Sequence, residues 1–155
     1  MKAVVFLRIA SVLVHIHAVL HTVGGVFGKP APGVAASVAA YMRTPLHVYG
    51  VTRSYSDFYL GLGLGITIFL TADAVLLWIL ASMAKTDAVR LRPLIAVFAA
   101  AYLVFALNSY LFFFSGPVIA EMLIVASLVA AFVTAKPHDA VVSRSPSVPL
   151  TTTRV

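Results

Sequence analysis

The chain of 155 residues contains no cysteine. This absence excludes disulfide bonds, thiolate nucleophiles, cysteine-ligated metal clusters and CxxC redox chemistry. Charged residues are also scarce, because only 10% of the chain is Asp, Glu, Lys or Arg, whereas a soluble domain has roughly a quarter. Hydrophobic residues make up 61% of the chain. This composition predicts one membrane domain and leaves no room for a second folded unit.

Acidic residues are fewer than basic ones, with five Asp and Glu against eleven Lys and Arg, for a net charge of +6. The basic residues do not form a patch. Most of them lie in predicted loops and tails beside apolar segments, where topology selection and anionic lipid headgroups explain them. We therefore expect membrane lipids, and not nucleic acid, as partners.

Four apolar segments are long enough to cross the ~30 Å of hydrocarbon in a bilayer. They lie at about residues 4–27, 58–84, 94–114 and 117–134. None shows the alternation of a β-barrel strand, so the sequence predicts an all-α, integral membrane four-helix bundle over residues 1–135. The alanine-rich stretch 34–42 predicts a short interfacial helix in the first loop. The Ser-, Thr- and Pro-rich stretch 136–155 predicts a disordered cytoplasmic tail.

The distribution of Lys and Arg predicts the orientation. The side with the N-terminus, the second connection and the tail carries Lys2, Arg8, Lys85, Arg90, Arg92, Lys136, Arg144 and Arg154. The other side carries only Lys29, Arg43 and Arg53. Because Lys and Arg accumulate on the cytoplasmic side, we expect a multi-pass protein of the bacterial inner membrane with both termini in the cytoplasm.

Some ionisable residues lie deep within the predicted spans, where an unpaired charge is costly. Arg8 and His15 are seven residues apart on the first span, and Asp73 lies at a similar depth on the second. We expect Asp73 to pair with His15 or with Arg8 inside the protein. Trp78 and Tyr102 also lie within spans and are interpreted as packing residues.

Six further polar residues lie towards the outer ends of the spans. They predict a semi-buried ligand-binding pocket lined by His17, His21, Arg53, Asp57, Asn108 and Glu121. His17 and His21 are four residues apart and share one helix face. Glycines at the same spacing, Gly24 and Gly28 on the first span and Gly61 and Gly65 on the second, allow these helices to approach closely. That packing would place His21 beside Asp57.

Simpler explanations exist for several of these residues. His17 and His21 have the i, i+4 spacing of a metal-binding pair, but no third-ligand motif accompanies them, so no metal is expected. Asp57 follows Ser54 at the spacing of a helix start. Glu121 lies near the start of the fourth span, where the helix dipole favours a carboxylate. Both acidic residues therefore keep a structural alternative.

A glycine-rich motif at the start of the second span resembles a segment found in a group of small membrane proteins. The segment Arg53-Ser54-Tyr55-Ser56-Asp57-Phe58-Tyr59-Leu60-Gly61-Leu62-Gly63-Leu64, with His21 and Gly24-Gly25, resembles small bacterial four-helix membrane proteins similar to the DoxX-like proteins. The resemblance covers roughly residues 4–133 and singles out His21, Arg53, Asp57 and Gly61. It implies a redox-associated context near quinone or thiol oxidation. The cysteine chemistry of some relatives cannot occur in this chain.

These observations predict a small inner-membrane protein that binds a lipophilic or quinone-like molecule, as an accessory subunit of a redox system. No other cofactor is indicated. The alternative is a structural or assembly subunit of a larger membrane complex with no ligand of its own. A His–Asp pair also leaves open a membrane enzyme or proton carrier. Each of these hypotheses is compatible with partner membrane subunits or with a homo-oligomer.

Overall fold

The computed structural model describes residues 2–136, which are mostly helical. The elements are α1 (Lys2–Leu20, continued by a π-helical segment, His21–Val26), α2 (Val34–Tyr41), β1 (Leu46–Val48), β2 (Val51–Arg53), α3 (Tyr55–Asp87), α4 (Arg92–Phe112) and α5 (Ser115–Thr134). The predicted short helix in the first loop corresponds to α2. The predicted disordered tail, 136–155, lies outside the described residues except for Lys136.

Four of the helices are long and apolar enough to cross a membrane: α1 with its π-helical continuation, α3, α4 and α5. They correspond to the four predicted apolar segments. With 33 residues, α3 is the longest, at about 50 Å for a rise of 1.5 Å per residue. It therefore extends beyond the predicted segment 58–84 at both ends.

A capping box fixes the start of α3. The Asp57 backbone N–H donates to Ser54 Oγ at 3.2 Å, and the Ser54 backbone N–H donates to Asp57 Oδ2 at 2.7 Å. These reciprocal bonds satisfy two amide groups that would otherwise lack partners at a helix end. Asp57 therefore has the helix-start role that was its alternative to ligand binding. The helix α3 begins at Tyr55, before the predicted apolar segment 58–84.

A β-hairpin precedes α3, in a region where the sequence predicts no strands. β1 and β2 pair antiparallel, with Leu46 opposite Arg53. Tyr49 and Gly50 at the tip have φ values of 48° and 82°, the positive φ at both positions that a tight two-residue hairpin turn requires. The strands are too short for an alternating pattern to reveal them.

The long helices lie side by side, and α1 occupies a central position. It packs against both α3 and α5, and α4 packs along its length against α5. The buried positions of α1 alternate at four- and three-residue intervals, which places them on one face. They are Ala3, Leu7, Ala10, Val14 and His17, with the adjacent Ser11 and Ala18 also buried.

Two cross-helix bonds show that α1 and α3 are antiparallel. Ser11 Oγ donates to the Ala74 carbonyl oxygen at 2.6 Å, and Arg8 Nη2 donates to Ser82 Oγ at 3.0 Å. Residue numbers therefore rise along α3 as they fall along α1. This order places the end of α3 beside the start of α1 and gives the molecule one strongly basic end, which includes Lys2, Lys85 and Arg92.

Glycine mediates the close approach of α1 and α3, but not the glycines expected. A Cβ atom at Gly63 would lie 2.9 Å from Val26 Cγ2, whereas Gly61 and Gly65 have nothing within 4 Å. Two residues correspond to about 200° of rotation on a helix of 3.6 residues per turn. The contact face of α3 is therefore nearly opposite to the predicted one.

Candidate functional site

Polar side chains from the other long helices contact the buried face of α4 in the interior of the protein. Tyr102, Ala106 and Ser109 are buried at intervals of four and three residues, so they share one helix face. Side chains from the other three long helices meet this face. We call the resulting group the interior polar cluster, which consists of His17, Asp73, Tyr102, Phe105, Ser109 and Glu121.

Glu121 on α5 is the least exposed member of the cluster, with only 1% of its surface accessible. The Ser109 hydroxyl donates a hydrogen bond to Glu121 Oε1 at 2.8 Å. Glu121 Oε2 is also buried and has no hydrogen-bond partner within residues 2–136. A buried polar group without a partner costs about 1–3 kcal/mol, and more when it is charged. This oxygen is therefore suited to holding a proton or to bonding a ligand.

His17 on α1 also has a buried atom without a partner in the described residues, as do Arg8 and Arg92 outside the cluster. Only 7% of its surface is exposed, and its ring stacks on Phe105 with centroids 6.2 Å apart and an interplanar angle of 16°. Nδ1 is buried and unpartnered in the described part of the chain. A neutral imidazole can donate or accept at this nitrogen, depending on its tautomer.

His17 and Glu121 come from helices that pack against each other, since α1 and α5 are in direct contact. They are also linked through α4, because His17 stacks on Phe105 and Glu121 accepts from Ser109, one turn further along that helix. A nitrogen that can donate and an oxygen that can accept suit a small molecule with hydroxyl or carbonyl groups.

Asp73 and Tyr102 form the lower part of the cluster, nearer the basic end. The Tyr102 hydroxyl donates to Asp73 Oδ2 at 3.1 Å. This bond joins α3 to α4, two helices that do not pack along their lengths. Tyr102 therefore does more than fill space, which is the role the sequence suggested for it.

The predicted pairing of Asp73 with His15 or Arg8 does not form among residues 2–136. Arg8 bonds Ser82, and its guanidinium carbon lies 3.4 Å from the centroid of the Trp78 ring. The antiparallel register explains these partners. It places Arg8 beside Ser82, nine residues beyond Asp73 along α3. His15 is exposed, since it lies one residue off the buried face of α1.

The predicted contact between His21 and Asp57 is likewise replaced by other partners. His21 Nε2–H donates to the Gly63 carbonyl oxygen at 3.1 Å. Asp57 is exposed and is engaged by Ser54 in the capping box. Gly63 lies about 9 Å further along α3 than Asp57 at 1.5 Å per residue, so His21 sits deeper than expected.

The remaining predicted pocket residues lie on the surface. Arg53 donates to the Thr52 carbonyl oxygen at 2.8 Å and, with Asp57 and Arg43, lines an open groove of about 390 Å³. Asn108 is exposed on α4. Of the six predicted ligand residues, His17 and Glu121 belong to the interior polar cluster through contacts with different residues of α4, His21 bonds the Gly63 carbonyl oxygen, and Arg53, Asp57 and Asn108 lie outside the cluster.

Ser109, Phe105 and the polar role of Tyr102 were not predicted from the sequence. A signal for two of them was present, since Tyr102 and Ser109 are seven residues apart and so share a face. Asn108 is more polar than the adjacent Ser109, and it was predicted as a pocket residue on polarity alone. The two neighbours differ by about 100° in direction around the helix.

The described residues contain no group of three or more His, Asp or Glu side chains able to hold a metal ion. Comparisons of the chain with known protein families, with curated protein sequences and with solved structures found no match. The resemblance to the DoxX-like proteins therefore stays a prediction.

Proposed function

We propose that this chain is a multi-pass protein of the bacterial inner membrane, folded as a four-helix bundle with both termini in the cytoplasm. Support comes from four helices with the length and hydropathy of membrane spans. The antiparallel register of α1 and α3 gathers Lys2, Lys85 and Arg92 at one end. Positive residues favour the cytoplasmic side of a membrane, which supports a cytoplasmic location for that end.

Within this bundle, we propose a binding site for a small lipophilic molecule of the quinone type at His17 and Glu121. The observation that carries the proposal is the pair of buried, unpartnered atoms His17 Nδ1 and Glu121 Oε2. A quinone accepts hydrogen bonds at its carbonyl oxygens, and its reduced form donates from hydroxyl groups. An imidazole and a carboxyl group can serve both forms, while Phe105 offers an aromatic face.

The proposed role is that of an accessory subunit in a redox system, holding the quinone-like molecule while a partner exchanges electrons with it. This chain supplies no cysteine and no cluster of metal ligands among its described residues. Its own contribution would be binding, orientation and the exclusion of water. Arg53 and Asp57 line the surface groove at the opposite end from Lys2, and His21 lies between that groove and the interior polar cluster.

A structural or assembly subunit is the second candidate, and a specific observation favours it. Several polar groups between α1 and α3 bond across the interface, including Ser11 to the Ala74 carbonyl and Thr22 to Thr67. Such bonds hold helices together without any ligand. Two open grooves in the described structure, one lined by Arg53 and Asp57 and the other by Tyr110 and Ile119, include neither His17 nor Glu121.

Binding of decylubiquinone to the full chain in lipid nanodiscs tests the two candidates. We expect saturable binding, and we expect His17→Phe to weaken it about tenfold, because a lost hydrogen bond of about 1.4 kcal/mol corresponds to a tenfold change in Kd. The phenylalanine keeps a flat ring against Phe105 and removes only the nitrogen atoms.

His15→Phe is the matched control, since it makes the same change on the same helix at an exposed position. It should leave the Kd unchanged. Absence of saturable binding to the unmodified chain would favour the structural candidate. Equal losses in both histidine variants would place the ligand elsewhere in the protein.

A further inference from the structure

Asn108 is a polar residue on a helix surface that the fold leaves uncovered. Its side chain is exposed, whereas Ser109 beside it is buried. Asn108 lies four residues before the end of α4, about 6 Å inside the helix at 1.5 Å per residue. Its amide makes no hydrogen bond within residues 2–136. In hydrocarbon, an amide without a partner is costly.

The rest of this surface is an apolar row, and Asn108 distinguishes it from the neighbouring exposed row 96, 100, 103, 107 and 110, which has the same spacing. Exposed residues follow one another along α4 at alternating three- and four-residue intervals, the spacing of a coiled-coil seam. They are Leu94, Val97, Ala101, Val104, Asn108 and Leu111. We call this row the outer seam of α4. It lies roughly one residue, or 100°, from the row that faces the interior polar cluster.

Among the four long helices, α4 is also the least covered by the rest of the chain. Only 22% of its most apolar stretch is buried, compared with 39% for α1. It packs along its length against α5 alone. The outer seam is therefore free to accept another helix without any rearrangement of the described fold.

We propose that the outer seam of α4 is a dimer interface, and that its occupant is the same helix of a second copy of this chain. Two copies inserted with the same topology have parallel α4 helices, so a two-fold axis along the membrane normal brings residues of equal depth together. Asn108 then meets Asn108. A carboxamide both donates and accepts, so the two amides satisfy each other.

This choice of occupant follows from the chemistry of the seam. A single Asn among apolar seam residues sets register and the number of strands in parallel helix pairs. Ala101 allows close approach near the middle of the seam. The inference rests on the proposed membrane insertion but not on the proposed ligand, because the outer seam and the interior polar cluster lie on different faces of α4.

Single-cysteine variants test the interface in a chain that has no cysteine of its own. Val104→Cys lies on the seam and Leu103→Cys beside it at equal depth, with parent side chains that are 67% and 52% exposed. Native membranes containing each full-length variant are oxidised with copper phenanthroline and run on non-reducing gels. We expect a disulfide-linked dimer for Val104→Cys and little for Leu103→Cys. Equal cross-linking of the two, or none of either, would overturn the proposal.

Substitution of the amide tests its role. In lipid vesicles, Förster transfer between labelled copies should report an association about three- to tenfold weaker for Asn108→Leu, in line with helix–helix hydrogen bonds in membranes. Asn108→Gln should keep most of the association, and His15→Leu, an exposed polar residue on another helix, should leave it unchanged. Unaltered association in Asn108→Leu would contradict the proposal.

Carbonate extraction of each variant distinguishes failure of the proposed dimer from failure of the proposed membrane insertion. A chain that stays in the membrane but does not cross-link at the seam contradicts only the dimer. A chain that is extracted contradicts the proposed membrane insertion, and the dimer with it.

Discussion

The interface between α1 and α3 and the interior polar cluster around α4 differ in how most of their polar side chains are bonded, although Arg8 Nη1 on α1 is also buried without a partner in the described residues. Between α1 and α3, Ser11 and His21 bond to backbone carbonyl oxygens of the neighbouring helix. In the cluster, His17 Nδ1 and Glu121 Oε2 are buried without partners. Groups bonded to the backbone stabilise the helix pair, whereas orphaned groups cost stability and persist where something else uses them.

The two regions therefore differ in what a substitution should do. Removing a polar group between α1 and α3 should destabilise the protein, because it breaks a completed bond. Removing an orphaned polar group from the cluster should stabilise the protein and impair its function. The following four changes probe the two regions, beginning with the largest expected effect.

Gly63→Leu should destabilise the fold by about 3 kcal/mol, because bulk added to a tightly packed contact forces neighbours to move. The first added carbon would already lie 2.9 Å from Val26 Cγ2. Reversible unfolding in mixed micelles, followed by circular dichroism, measures the change. Gly65→Leu, which adds the same bulk where nothing lies within 4 Å, should be nearly neutral. Val26→Ala should recover part of the loss, and no recovery would show that the contact with Val26 is not the cause.

Glu121→Met should stabilise the protein by about 2 kcal/mol, because the removal of a buried carboxyl oxygen without a partner outweighs the loss of the Ser109 hydrogen bond, worth about 1 kcal/mol. The unpartnered oxygen is Oε2. The same unfolding assay provides the stability, and decylubiquinone binding should fall in parallel. A destabilised Glu121→Met variant would mean that the carboxyl group is a structural partner, and the contrast between the two regions would disappear.

Ser11→Ala should destabilise the protein by about 1 kcal/mol, the usual net value of one hydrogen bond. Ser11 Oγ donates to the Ala74 carbonyl oxygen at 2.6 Å in a buried position, so no solvent replaces the bond. Ser127→Ala is the control, because that hydroxyl bonds Leu123 within its own helix. Equal effects of the two substitutions would indicate that the bond between helices adds nothing beyond helix propensity.

The helices could be predicted from the sequence because crossing length and hydropathy are local properties of a segment. The partners of polar residues could not, because they depend on helix rotation and register. His15 and His17 differ by about 200° in direction, and Asn108 and Ser109 by about 100°. Spacing within one helix shows which residues share a face, but it does not show which face turns inward.

Asp57 illustrates the other limit of sequence reasoning. The spacing from Ser54 to Asp57 predicts a helix start, and the capping box forms there. The same carboxylate was also expected beside His21, and a side chain already held by two bonds to Ser54 is not free for that contact. Local hydrogen bonds require little ordering of the chain, so they compete well against distant partners.

Tyr102→Phe should have the smallest effect, a loss of about 0.6 kcal/mol, the average for a hydrogen bond between membrane helices. The phenol donates to Asp73 Oδ2 at 3.1 Å, which is long for a bond between two oxygen atoms, and Asp73 is only half-buried. Asp73→Asn keeps an acceptor for the phenol and should be neutral. Because this bond links two helices that otherwise do not pack along their lengths, its loss should also speed maleimide labelling of a cysteine placed at Ala99. Unchanged labelling in Tyr102→Phe would show that packing against α5 alone holds α4 in place. The bond between Tyr102 and Asp73 would then not contribute to the position of α4 relative to α3.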